Sequence, residues 1–140
     1  MASLIFNSAL YDEARGSINY LSDTFKVMLV TVTYTPNKDT HTKRSDVTNE
    51  ITGTGYTAGG QAATVTVGAV DTVNDRVDIS LGGTTWSTAT ITARGAVYYK
   101  SRGGAATADE LVAYIDFGAD VTSTGANFAL TASTLRKTNP

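Results

Sequence analysis

The sequence has no cysteine. That absence excludes disulfides and thiolate metal sites, including the common structural zinc types, so the chain must stand on packing alone or on packing plus partners. Charge is scarce as well. Charged residues are 17% of the 140 residues, below the roughly 25% usual in soluble domains, and threonine, serine, glycine and alanine fill the gap. The net charge is −2 and the Lys and Arg residues are scattered. This argues against nucleic acid as a partner, because non-specific binding of nucleic acid needs clustered cations that neutralise phosphates. No apolar run approaches the ~18 residues of a membrane span. The opening MASLIFNSALYDEA lacks the charged first region of a secretory signal. The expectation is a chain made in a cytoplasm, with neither membrane nor nucleic acid as partner.

What is present describes one small β domain over residues 1–140. A chain of this length buries roughly 68–70% of its unfolded surface, enough for a single core. Leu4, Ile5 and Ala9 recur at helical spacing, with Ser3 as a cap and Gly16 as a stop, and predict a short helix over 4–15 in an N-terminal arm of about 1–16. From Thr24 the period changes. FKVMLVTVTY is rich in β-branched and aromatic residues and apolar on both faces near its middle, which predicts a central strand covered on both sides. The polar TPNKDTHTKRSDVTNE that follows is a long exposed loop, with Pro36, Asn37 and Asp39 as turn formers.

Residues 50–67 read as a strand, an irregular glycine corner and a second strand. Gly53, Gly55, Gly59 and Gly60 permit the reversal, and Tyr56 folds back as a plug. RVDISL alternates at Val77, Ile79 and Leu81, and a strand from Ile91 places Ile91, Ala93, Gly95, Val97 and Tyr99 on one face. LVAYIDFG is a further strand, residues 127–134 close the sheet, and about 135–140 form a tail. Strands separated by turn-rich segments with one helix predict an all-β, antiparallel, jelly-roll-like sandwich.

None of the chemistry-bearing residues assembles into a recognisable catalytic, cofactor or metal motif. His41 is the only histidine and lies in a polar loop with no nucleophile and carboxylate to complete a triad. Asp78 and Asp116 lie inside strands, where cross-strand pairing with Arg76 or Arg94 is commoner than glycoside chemistry. Asp71, Asp75 and Asp78 lack calcium-loop spacing. GTGYTAGG has the glycine density of a phosphate cradle, but a strand follows it where such cradles need a helix, a lysine or an acidic partner. Trp86 with Tyr98 or Tyr99 could form a sugar-stacking platform, against the commoner role of such aromatics in a core.

LIFNSAL, DTFKVMLVTVTYTPNKDTH, SDVTNEITGTGYTAGGQA, TWSTATITARGAVYYK and LVAYIDFGADVTSTGANF, in this order, resemble small virion structural proteins of tailed bacteriophages, the head decoration or cement proteins. The resemblance covers most of the chain and is weakest over residues 69–83 and after Phe128. It implies a non-enzymatic β-sandwich without cofactors, seated on the capsid exterior, with the major capsid protein as partner and a homotrimer as its assembly. Contact with the capsid or a neighbouring copy is expected from residues 1–6 and 36–44, through Met1, Leu4, Phe6, Lys38, His41, Lys43 and Arg44. A tail, baseplate or head-fibre component and a carbohydrate-binding module are the alternatives.

Overall fold

The computed structural model describes residues 2–140, and Met1 lies outside them. Two antiparallel sheets form an all-β sandwich. The eight strands are β1 (Leu4–Ile5), β2 (Phe25–Val30), β3 (Gln61–Ala63), β4 (Val65–Val67), β5 (Arg76–Leu81), β6 (Thr84–Lys100), β7 (Leu111–Leu130) and β8 (Ser133–Thr138), with one helix, α1 (Asn7–Ala14). The larger sheet has the order β1-β7-β6-β2-β3 and the smaller β4-β5-β8.

The alternation expected for β2 is realised in two cores. Phe25, Val27 and Leu29 join the cluster between the sheets with Ile79, Leu81, Trp86 and Leu135. Met28 and Val30 turn to the other face and meet Phe6, Tyr34, Val97, Tyr99 and Tyr114. Being covered on both faces suits a strand apolar on both. It ends at Val30 because Thr31 turns away to accept no further ladder, and its backbone N–H donates to Asn49.

Several expected boundaries move. Leu4 and Ile5 are not helical; they pair with Tyr114 and Ala113 at the edge of the larger sheet, and α1 begins at Asn7 after an extended Phe6. A free sheet edge beside two apolar residues outcompetes a weak helical start that lacks a side-chain cap. The segment expected as a tail contains most of β8: Leu135 is buried, and Arg136 and Lys137 pair across to Asp78 and Val77. Ion pairs of Arg136 with Asp78 at 2.7 Å and of Lys137 with Glu13 at 2.5 Å hold these charges.

β6 and β7 form one long coiled ribbon. Register shifts between Ala93 and Gly95, and again between Tyr98 and Tyr99, change which side chains face the inter-sheet core. Ile91, Ala93, Ala96 and Tyr98 therefore face that core while Val97 and Tyr99 face the second cluster, so the single face expected from Ile91 to Tyr99 is divided by bulges. β7 runs on past the expected end at Gly118. Gly118 and Gly125, at φ 80 and 57, bend the strand without ending it.

Candidate functional site

The glycine corner is a structural joint. Before it the chain makes only isolated bridges, Val30 with Glu50 and Thr54 with Thr90, in place of the strand expected there. After it, residues 61–67 divide at Thr64, sending β3 to the larger sheet and β4 to the smaller. The Thr64 carbonyl accepts a hydrogen bond from Gly82 N at 2.8 Å, which joins the two sheets where they part. Tyr56 is the plug that was expected. Its hydroxyl donates to Glu50 Oε2 at 2.6 Å and accepts from Leu29 N at 3.0 Å, and its ring lies 5.9 Å from that of Trp86. Glu50 Oε2 also accepts from Gly59 N at 2.8 Å. Burial, followed by the hydrogen bond to Glu50, raises the Tyr56 phenol far above its ordinary range. The phenol stays neutral and keeps its proton directed at the Glu50 carboxylate.

Tyr56→Phe leaves Leu29 N without its acceptor and deprives Glu50 of a donor. The expected loss is about 1–3 kcal/mol, read as a lower melting temperature with an unchanged far-ultraviolet dichroism spectrum.

The residues expected to contact a capsid are largely committed to the protein's own fold. Phe6 is fully buried, which corrects its placement at a contact surface, and Leu4 is half-buried in β1. His41 stacks on Tyr34 at 5.7 Å, and its Nδ1 lies 2.9 Å from the Tyr34 hydroxyl and accepts from Asn37 N at 3.3 Å. Arg44 Nε donates to Asp109 Oδ2 at 2.8 Å and its guanidinium covers the Tyr99 ring. Lys43 forms a backbone bridge with Glu110. Among the described residues of this set Lys38 alone is exposed, beside Asp39 at 2.8 Å. The loop expected to be long and exposed is thus folded back, with a short 3-10 turn over Arg44–Asp46 and a buried Pro36.

What clamps it is a pair of buried acids that the sequence reading passed over. Asp109 takes Arg44 on Oδ2 and Arg102 N on Oδ1, and Glu110 takes Arg102 Nε at 2.8 Å and Nη2 at 2.6 Å. The Arg102 hydrogen bonds hold the Glu110 carboxyl below its ordinary range, and the backbone amides of Thr42 and Lys43 do the same for Asp46. A carboxyl whose folded pKa is depressed stabilises the fold above its unfolded pKa and loses that contribution as pH falls through the folded value. The melting temperature is therefore expected to fall as pH drops below about 4. Glu110→Gln melts lower than the parent at neutral pH and loses less on acidification, a comparison made by thermal melts across that range.

The remaining expected sites resolve as packing or ion pairs. Arg94 Nε meets Asp116 at 3.1 Å, and Asp78 takes Arg136 from the facing strand. Trp86 is 1% exposed, and Tyr98 and Tyr99 are buried, so the three offer no stacking platform at the surface. Burial pushes both of these phenols up to about 12. Among the described residues no group of three or more His, Cys, Asp or Glu side chains is placed to hold a metal ion.

One surface stands apart. Residues 51–70, 79–93 and 121–135 contain no charged side chain. The fold brings parts of all three together. Thr54 bridges Thr90 across the ribbon, Thr92 pairs with Thr122 with their hydroxyls 2.8 Å apart, and Thr90 Oγ1 accepts from Gly125 N at 2.9 Å. Thr52, Thr54, Thr90, Thr92, Thr122 and Thr124 are all exposed. A shallow groove of about 330 Å³ is lined by Thr31, Thr52, Thr90, Thr92 and Thr122 together with Glu50, whose carboxylate is taken up by Tyr56 and Gly59 N. Beneath lie Trp86, Ala89, Ile91 and Phe128. The result is a hydroxyl-rich face on a packed support, uncharged but for Glu50, whose carboxylate is already paired within the fold. The gaps in charge are legible in the sequence; their adjacency is not.

Comparison of the chain with protein-family models, with curated proteins and with solved structures gives no match. The uncharged face and the buried loop clamp are thus the features from which a function has to be read.

Proposed function

We propose that this protein is a non-enzymatic decoration, or cement, protein of a tailed-bacteriophage head, made in the host cytoplasm and bound to the exterior of the assembled shell. The observation that carries this reading is the uncharged threonine face. Charged residues are depleted at the cores of protein interfaces, where desolvating an unpaired charge is costly. Threonine, serine, alanine and glycine also lose little side-chain entropy on being fixed, where Lys, Arg or Glu would lose up to about 2 kcal/mol each. A face of short side chains on a rigid ribbon is therefore suited to meeting a repetitive protein surface through shape and hydrogen bonds. The ordered segment resemblance to decoration proteins supplies the identity of that surface, the major capsid protein.

The mechanism is one of linkage. A protein that binds the assembled lattice and not the free subunits shifts the lattice away from disassembly by mass action. A copy that spans two capsid subunits needs only modest contacts to each, because the second contact forms at high effective concentration. A tail or baseplate component could present the same face and differs in abundance. Quantitative gel analysis of purified particles decides: hundreds of copies per particle are expected, and a handful would place the protein at the tail or a single vertex. The carbohydrate-binding alternative is disfavoured by the burial of Trp86.

A further inference from the structure

Residues 31–49 form a loop whose ends meet. Thr31 N donates to the Asn49 carbonyl at 2.9 Å, directly where β2 stops, so the segment leaves the larger sheet and returns to it at one point. It lies as a strap over the second core cluster, to which it supplies the buried Tyr34 and the half-buried Val47. Besides Tyr34, only Pro36 of the segment is buried. A segment that buries so little, and that can lift off without breaking a strand, belongs to the least stable part of a fold.

The bonds that hold the strap down are concentrated near two buried acids. Three backbone hydrogen bonds tie it to the rest of the protein: Asn7 N to the Lys38 carbonyl at 2.9 Å, Leu111 N to the Thr42 carbonyl at 3.2 Å, and Arg44 N to the Asp109 carbonyl at 2.9 Å. Among the described residues, its one ion pair to another segment is Arg44 with Asp109, and Asp109 is 1% exposed. The same carboxylate accepts from Arg102 N, and the adjacent Glu110, also 1% exposed, takes the Arg102 side chain. Other charged and titratable groups surround this clamp. On the strap, Asp46 accepts from Thr42 N and Lys43 N, Lys43 adds its charge near Glu110, and His41 stacks on Tyr34. From β6, Tyr99 lies beneath the Arg44 guanidinium and Lys100 pairs with Asp23 at 2.9 Å.

We propose that the strap is an acid-released element: on acidification residues 31–49 lift off as a unit while the inter-sheet core stays closed. Neutralising Asp109 leaves the Arg44 guanidinium beside Tyr99 without a counter-charge, and neutralising Glu110 frees the Arg102 side chain that braces the same corner. Acid also weakens Asp46 as the acceptor that orders the strap's own turn. Glu110 and Asp46 are held below the ordinary carboxylate range by their hydrogen bonds, so their contribution is present at neutral pH and is lost as pH falls below about 4. The inter-sheet core is built from uncharged side chains such as Leu81, Trp86 and Leu135, which acid does not alter. Release uncovers one side of the second cluster and frees Arg44 into solvent. None of this depends on the proposed function.

Two signals separate the strap from the core. Trp86 is the only tryptophan and is buried between the sheets, so its emission reports the core. The amides of Arg44 and Leu111 donate across the contact between strap and sandwich, so their hydrogen exchange, read by NMR, reports the strap. Both are followed on the full chain from about pH 7 to about pH 3. Exchange at Arg44 and Leu111, corrected for its intrinsic dependence on pH, is expected to quicken about 100-fold or more, while the amides of β2 and the Trp86 emission keep their neutral behaviour. Asp109→Asn, neutral at every pH, is expected to show the open strap at neutral pH with Trp86 still buried. A single transition in which strap and core change together overturns the proposal, as does a strap that keeps its protection until the core unfolds. Both results are read on the wild-type chain, whatever the folding yield of the variant. A folded Asp109→Asn with wild-type protection at Arg44 overturns it as well.

Discussion

Gly60→Ala yields little or no folded protein. Gly60 has φ 77, and a Cβ placed on it would stand 1.8 Å from the Val27 carbonyl oxygen and 2.8 Å from Met28 Cα. Both obstacles are backbone of β2, the strand that feeds both cores, so neither can swing aside as a flexible side chain would. The left-handed conformation alone costs an L-residue about 1–2 kcal/mol. Relieving the overlap requires moving the corner off β2, which breaks the pairing of Val27 with Gln61 and the seat of Tyr56. The summed loss matches or exceeds the total stability of a typical domain of about 5–15 kcal/mol. The check is the soluble yield and the dichroism spectrum of the variant beside those of Gly16→Ala. Gly16 also has positive φ, at 80, but nothing lies within 4 Å of its added Cβ. Gly16→Ala is expected to fold with a modestly lowered melting temperature. Equal behaviour of the two variants would show that the close approach at Gly60 does not matter.

Charge placed on the threonine face is expected to abolish head binding and leave the fold intact. Thr92→Asp and Thr124→Asp sit at exposed positions of the ribbon, where substitutions ordinarily shift stability by no more than about 0.5 kcal/mol. Buried against a partner without a counter-ion, one such carboxylate costs about 3–5 kcal/mol, equivalent to roughly 150- to 5000-fold in affinity. Lys38→Ala provides the contrast. Lys38 is the one exposed cation of the basic loop expected to touch the capsid, and its loss is expected to change affinity by less than about threefold, as for a charge at an interface rim. Binding of each variant to heads lacking the protein separates the two surfaces. Strong loss with Lys38→Ala and none with the aspartates would move the interface to the basic loop.

The parts of this fold that were legible in the sequence are those with uninterrupted alternation. β2 and β5 show apolar residues at every second position, and both lie where that pattern puts them. β6 and β7 were legible only in pieces. Their register shifts at Arg94 and Val112, and the left-handed Gly118 and Gly125, reset the alternation, and a glycine that bends a strand has the same letter as one that ends it. β8 was missed because Arg136 and Lys137 look like a solvated tail until β5 places Asp78 and α1 places Glu13 beside them. Tyr56 was legible as a plug because a lone aromatic among glycines has little else to do. Its partners Glu50 and Leu29 were not, since they depend on how the corner closes. The basic loop misled for a similar reason: Arg44 reads as a free cation, and the acid that neutralises it, Asp109, stands far away in sequence. The uncharged face was written in three separate stretches that only the sandwich brings together.

The central claim is that an uncharged face, and not the basic loop, holds this protein on an assembled phage head. Binding driven by cations weakens steeply as salt screens them, whereas contacts between neutral groups are nearly indifferent to it. The direct measurement is co-sedimentation of the wild-type protein with purified heads lacking it, titrated to saturation at about 0.05 M and about 0.5 M salt. Saturable binding of hundreds of copies per head with an affinity the same within about threefold at both salts is the predicted result. No binding, or an affinity that collapses at the higher salt, would contradict it.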